Sequence, residues 1–308
     1  MNNQINKSDK ALAGKMINVL KTKRNLPKSI NMAKVAGRFW VECHDVRSDS
    51  LMSEQSTTGF SHLPETALMK ALSERIEHQA FISGNKIGLK SCMTERSDGF
   101  AAYPKCFQDA EIKVREAALA EAIERYVWST WWGDKQISFQ INPLHLTSDN
   151  SEIKNYVIQI QTECQVTEIL LIEPDVLGLE ENKVVILIAQ LKSGGYISGG
   201  ACGLVMNEVI LRSLDELYRH GLVILKMKES KIVPKSFYEK RLAYFGLGHG
   251  DQIVKKRLSS KGHIPITLPE LSIDEIVEHE YSNDYFVHRC FFKNQPPFIG
   301  GELERLCL

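Results

Sequence analysis

An α/β fold is the architecture this chain predicts, and three observations carry that reading. Blocks with helical periodicity alternate with strand-like blocks along most of the 308 residues. Two segments, Glu168–Glu173 (EILLIE) and Lys183–Leu191 (KVVILIAQL), are continuous apolar runs of buried-strand length. No low-complexity linker interrupts the pattern, so residues 36–308 read as one domain behind a basic arm at 1–35.

The elements follow in order. The arm carries Lys7, Lys10, Lys15, Lys21, Lys23, Arg24, Lys28 and Lys34, and Leu12, Met16, Val19 and Leu20 recur at helical spacing from about Lys10 to Lys23. Arg38–His44 reads as a strand. Pro64–Ile82 reads as a helix, with Pro64 in its first turn and Gly84 beyond its end. Ile87–Met93 is a further strand candidate, and Phe107–Trp132 a long helical pattern. Ile137–Ile141 alternates as a strand does, and Asn150–Cys164 fits a helix that turns Ile153, Val157 and Ile160 inward. After the two apolar strands, a glycine-rich turn (Gly194-Gly195, then Gly199-Gly200) leads to a helix at about Asn207–His220. Ser272–His279 reads as a helix and Tyr285–Phe292 as a strand.

Charge and composition narrow the function classes. Lys+Arg and Asp+Glu both number 38, so the chain is neutral and does not advertise nucleic acid or an anionic membrane as its partner. The polar N-terminus has no apolar run of signal-peptide length, and nothing approaches a membrane span. Seven scattered cysteines without a CxxC read as reduced thiols of a cytoplasmic protein, with Cys106 and Cys202 as small packing residues.

Three stretches look like versions of one segment: residues 56–81, 96–128 and 198–222. Each has glycine and small residues, then a helix with alanine or leucine on one side, then late carboxylates. The first offers Glu74 and Glu77. The second offers Glu121 and Glu124, followed by Arg125. The third offers Glu216, with Asp215 beside it. Residues three apart share a helix face, where two ionised glutamates repel by roughly a few tenths of a kcal/mol. In a cleft the repulsion grows as the dielectric falls, and a divalent cation removes it. Mg²⁺ takes such hard oxygen ligands and is usually shared with substrate phosphates. On the residues alone, a solvated ExxE face and a shared-cation site both stand.

The same residues resemble the YcaO superfamily. Its first ExxER motif has its counterpart in Ser73-Glu74-Arg75-Ile76-Glu77-His78, with His78 in the arginine position. The second is matched by Ser97-Asp98-Gly99-Phe100-Ala101-Ala102 followed by Glu121-Ala122-Ile123-Glu124-Arg125. The third is matched by Glu216-Leu217-Tyr218-Arg219, with Arg219 where glutamine is usual, and Pro296-Pro297-Phe298 is a weaker echo of a proline-rich tail. The resemblance implies one domain with mixed sheets covered by helices, and binding of ATP with Mg²⁺. It implies activation of a peptide-bond oxygen, after which a nucleophile attacks the carbonyl carbon and phosphate leaves. A substrate Cys, Ser or Thr would give an azoline, sulfide a thioamide, and a backbone amine an amidine.

By carry-over, Glu74, Glu77, Glu121 and Glu124 are the Mg²⁺ ligands, and Glu74, Glu121 and Arg125 the catalytic set. Arg125 suits phosphate because a guanidinium binds its oxygens in a fork. Glu216 and Arg219 complete the nucleotide site, and Ser97 and Gly99 line the approach to it. Apart from the resemblance, His288-Arg289 is placed to reach the phosphates from a strand end, with a structural role for His288 as the alternative. The implied partners are a ribosomally made precursor peptide and a protein that presents its leader; self-association is left open. A second hypothesis is a non-catalytic scaffold that kept the fold, supported by His78 and Arg219. Trp128, Trp131 and Trp132 read as a core wedge before a nucleotide stack. Gly246-Leu247-Gly248-His249-Gly250 reads as a loop, since it lacks the ending of a phosphate-binding loop.

Overall fold

The structure, a computed structural model, describes residues 14–18, 20–21, 26–35, 37–44, 57–84, 98–147, 149–179, 181–234, 237–298 and 302–306. The strand candidate at 87–93 and the candidate Ser97 lie outside the described residues. The chain divides into two compact units. The first takes Met1–Met93, Phe100–Glu116 and Glu275–Arg289; the second takes Thr94–Gly99, Ala117–Asp274 and Cys290–Leu308.

In the first unit, β1 (Ser29–Val35), β2 (Arg38–His44) and β3 (Thr57–Ser61) form an antiparallel sheet in that order. Part of the basic N-terminal stretch is therefore strand. Val41 pairs with Met32 on one side and Gly59 on the other. Helix α1 (Pro64–Gly84) covers this sheet with Ala67, Ala71, Leu72, Ile76 and Ala80. These pack with Met16, Leu20, Val41 and Cys43, and with Phe100, Ala102, Tyr281, Tyr285 and Val287, into one apolar cluster. Burial of that face, rather than helix propensity alone, holds α1 in place.

β4 (Gly99–Pro104), β11 (Leu271–Ile276) and β12 (Tyr285–Phe292) form a second sheet in the order β11-β12-β4. The helix expected at 272–279 is thus mainly strand. Ile273, Ile276 and Val277 do recur at helical spacing. However, β12 is almost wholly buried and its backbone groups need partners on both sides. Val277 N donates to Val287 O at 2.8 Å, and Lys293 N donates to Glu270 O at 3.0 Å, so pairing with β12 overrides the local period.

The second unit is built on the antiparallel sheet β5-β6-β8-β9: Phe139–Pro143, Val166–Pro174, Lys183–Leu191 and Tyr196–Gly203. Two short strands, β7 (Val176–Leu177) and β10 (Ile266–Thr267), pair in parallel at its side. Residues 184–189 of β8 are all buried, which is why the strand reads as an unbroken apolar run. Of the glycines that follow it, Gly194 and Gly195, at φ of +83° and +92°, lie in the β8–β9 turn, whereas Gly199 and Gly200 lie within β9. The helices are α2 (Ala110–Gly133), α3 (Leu144–Thr147), α4 (Ser151–Glu163), α5 (Met206–Ser230), α6 (Phe237–Gly246) and α7 (Asp251–Leu258). Asn150 caps α4 by accepting from Glu152 N and Ile153 N, at 2.9 and 3.4 Å. α5 runs ten residues beyond His220, where its sequence pattern ended, because Val223, Ile224 and Met227 continue its buried stripe. Among the described residues no helix is long and apolar enough to cross a membrane.

Trp128, Trp131 and Trp132 are buried, as a core wedge requires. Trp128 meets Phe298 edge-on at 5.5 Å, and Trp131 meets Phe139 at 5.5 Å with the Arg257 guanidinium 4.5 Å from its ring centre. The glycines at 246–250 close α6 and open α7. Gly248 N and Gly250 N are spent on Phe245 O and Tyr244 O, so those amides are not free for phosphate.

Candidate functional site

Most of the chemistry gathers in the second unit. Gly99 opens β4 against α2 at backbone contact: a Cβ there would collide with Ala118 O and Ala122 N. Ala118 and Ala122 are fully buried in consequence. With that face fixed, Glu121, Glu124 and Arg125 follow within one turn of the helix. Arg125 donates to Asp98 O and pairs with Glu121. Its guanidinium also lies 5.6 Å from the centre of the Phe298 ring.

β9 meets α5 in the same manner. A Cβ at Gly199 would strike Ser213 O and Leu217 N. Glu216 accepts from Gly200 N at 2.8 Å and lies 3.7 Å from Arg219. Asp215 turns away and accepts from Tyr156 OH at 3.1 Å. Arg212, one turn before Glu216, donates to Cys202 O at 3.0 Å. The sequence reading missed Arg212, although its position four residues before Glu216 puts both on one helical face.

These groups act on one another electrically. The Glu124 carboxyl is pushed up to about 8, first by burial and then by the Glu216 charge; Arg212 opposes this, Glu121 adds to it, and Arg125 opposes it. Glu216 is raised as well, by burial, against the pull of Arg219, the Gly200 amide, Arg125 and Arg212. Three carboxylates and three guanidiniums therefore form one cluster. The Glu121 and Glu216 side chains each keep 25% of their surface exposed, so a ligand can reach them. Carboxylate oxygens suit a hard divalent cation and the guanidiniums suit the phosphates that accompany it. A carboxyl pushed up first by burial and then by like charges gains most from such a cation.

Cys202 borders this cluster, and its thiol is pushed up to about 12 by burial and by Glu124, against Arg212. It is an inert packing group. Cys106 differs from expectation in lying exposed.

The first unit holds the remaining candidates. Gly59 abuts Ala67 O and Ala71 N of α1, and Glu74 accepts from Thr58 N at 2.6 Å. His78 lies one turn on, 3.9 Å from Glu74. Glu77 is half-buried on α1, three residues from Glu74. Arg289, on β12, is 4% exposed and lies 3.8 Å from the exposed Glu275. The structure thus brings together Gly99, Glu121, Glu124, Arg125, Glu216 and Arg219 in the second unit, and Glu74 and Glu77 on one helix of the first.

No protein-family model matches the sequence, and no curated protein sequence matches it. Solved structures do. A YcaO from Methanopyrus kandleri bound with AMPPCP and Mg²⁺ is 14% identical, with a TM-score of 0.56, over 93% of this chain and 92% of that one. A chain of the Escherichia coli microcin synthetase McbBCD complex with pro-MccB17 bound is 10% identical, with a TM-score of 0.57, over 86% and 87% of the two chains. A chain of the same complex described without pro-MccB17 is 9% identical, with a TM-score of 0.55. The chain has the YcaO fold over nearly its whole length, which bears out both the expected α/β architecture and the resemblance drawn from the three segments.

Proposed function

We propose that this chain binds ATP with Mg²⁺ and uses it to activate a backbone amide of a ribosomally made peptide. The observation that carries the reading is the cluster of Glu121, Glu124 and Glu216 with Arg125, Arg212 and Arg219, in which Glu124 is desolvated and repelled by its neighbours. The carboxylates would hold Mg²⁺ and the guanidiniums the phosphates. Glu74 and Glu77 are proposed as further Mg²⁺ ligands, and Ser97, Gly99 and Arg289 as nucleotide contacts. The protein's contribution is positioning and charge neutralisation, as in phosphoryl transfer generally. The γ-phosphoryl group would pass to the amide oxygen, and a nucleophile would then displace phosphate from the carbonyl carbon.

The nucleotide and metal in the Methanopyrus kandleri structure, and the pro-MccB17 in the microcin synthetase complex, support this reading. Azoline formation at Cys, Ser or Thr is the product we favour, with thioamide or amidine formation as the alternatives. A partner protein would present the precursor peptide, and the reaction would take place in the cytoplasm. One observation favours a second reading, a non-catalytic scaffold: Glu121 and Glu216 already have internal counter-ions in Arg125 and Arg219.

Mass spectrometry of a precursor peptide incubated with the chain, ATP, Mg²⁺ and the presenting protein separates the readings. Loss of the mass of water marks an azoline or amidine. Exchange of oxygen for sulfur, with sulfide supplied, marks a thioamide. An unchanged peptide together with nucleotide binding marks the scaffold.

A further inference from the structure

The second unit contains the same strand-on-helix arrangement twice, and the glycine contacts fix the register between the copies. Gly99 lies on Ala118 O and Ala122 N; Gly199 lies on Ser213 O and Leu217 N. In each copy the two helix contacts are four residues apart. Aligned this way, Glu121 corresponds to Glu216, Glu124 to Arg219, Asp98 to Ser198, and Arg125 to His220. The correspondence extends to bonds. Arg125 donates to Asp98 O, and His220 Nδ1 lies 2.6 Å from Ser198 O.

His220 is a satisfied, buried imidazole with a defined tautomer. A carbonyl only accepts, so Nδ1 carries the proton. Nε2 is then the acceptor, and the Tyr238 hydroxyl bonded to it is the donor. His220 is fully buried, and burial followed by the nearby Arg219 charge draws its basicity down to about 3, so the ring is neutral. His220 and Glu216 are one turn apart on α5. Ser198 and Gly200 are two residues apart on β9 and share a face of the strand. Glu216 takes the Gly200 amide while His220 holds the Ser198 carbonyl, so the helix grips the strand at two successive same-face residues around Gly199.

We propose that His220, oriented by Tyr238, is a positioning residue for the nucleotide site: its Nδ1–H holds Ser198 so that the Gly200 amide stays on Glu216 and fixes where that carboxylate points. It stands where Arg125 stands in the other copy, but it supplies the backbone grip without the charge. This inference rests on the proposal that the cluster binds Mg–nucleotide, and it names a residue outside the six ionic groups of that cluster.

The test uses side-chain amides as probes of the two ring nitrogens. An asparagine amide nitrogen falls near the place of Nδ1, and a glutamine one near Nε2. Calorimetric titration of the full chain with Mg–AMPPCP, corrected for folded fraction by circular dichroism, compares wild type with His220→Asn, His220→Gln and Tyr238→Phe. Loss of a buried hydrogen bond that orients a ligand group predicts about ten-fold weaker binding by His220→Gln, with His220→Asn within about three-fold of wild type and Tyr238→Phe between them. Equal affinities for the asparagine and glutamine variants, or the reverse order, overturn the positioning role while leaving the nucleotide reading intact. Absence of binding by wild type overturns the nucleotide reading itself. A purely structural role would lower the thermal midpoints of the ligand-free variants and leave the affinity of the folded fraction unchanged, which also overturns the proposal.

Discussion

The carboxylates of α1 and those of α2 and α5 carry the same ExxE or ExxR signature but sit in different surroundings. On α1, Glu74 accepts the Thr58 amide and faces an imidazole one turn on. On α2 and α5, three carboxylates and three guanidiniums crowd together, and Glu124 is driven up to about 8. The glycine contacts also differ in register. Glu121 and Glu216 each stand one residue before the helix amide that faces the glycine, Ala122 N or Leu217 N. On α1 that place is held by Lys70, which donates to Phe60 O at 3.0 Å, and Glu74 falls three residues after Ala71. The glycine strand thus crosses α1 one turn earlier, relative to its glutamates, than it crosses α2. A shared motif therefore yields a backbone-bonding carboxylate beside an imidazole in one unit, and in the other a backbone-bonding Glu216 within an electrostatically loaded cluster.

Substitution of the cluster carboxylates has the greatest effect. Glu121→Gln and Glu124→Gln should each weaken Mg–AMPPCP binding by about a hundred-fold, because a neutral amide is a poor ligand for a hard cation. Titration calorimetry reads this directly, and unchanged affinity in both would place the cation elsewhere. Next in size is a steric effect. Gly199→Ala forces a methyl group into Ser213 O and Leu217 N, and should cost about 2 kcal/mol or more in denaturant unfolding, since helix and strand cannot separate without losing the surrounding packing.

The pH dependence of stability sharpens the contrast. A carboxyl raised from its ordinary range to about 8 binds more protons folded than unfolded between those values. Its contribution to stability is therefore greatest at the acid end of that window and is lost as pH rises toward 8. The thermal midpoint of the ligand-free protein should fall from pH 6 to pH 9, and Glu124→Gln should flatten that fall. An equal slope in the variant would remove Glu124 as the stressed group. The smallest effect belongs to α1: Glu74→Gln should keep an acceptor for Thr58 N and cost only about 1 kcal/mol of stability.

Much of this was legible in the amino-acid pattern, for physical reasons. Residues 184–189 are buried on both faces of the sheet and read as an unbroken apolar run. Glu121, Glu124 and Arg125 lie within one turn of one helix, where spacing alone sets the geometry. Residues 271–276 misled because pairing with the buried strand β12, which local spacing does not display, decides their state. The grip of His220 on Ser198 was equally hidden: the two are 22 residues apart, and they meet only once β9 has packed on α5. Arg212 was readable from its spacing to Glu216, but its value depends on the company of Glu124, which belongs to another helix.

Glu124, pushed up by burial and by its charged neighbours, is proposed as a seat for a cation that accompanies phosphate. Titration of Mg–AMPPCP at pH 7, in buffers of different ionisation enthalpy, tests it most directly. A cation that takes this carboxylate must displace its proton, so wild type should release about one proton or more on binding and Glu124→Gln about one fewer. Binding without proton release, or binding of the nucleotide undiminished by removal of Mg²⁺, would contradict the claim.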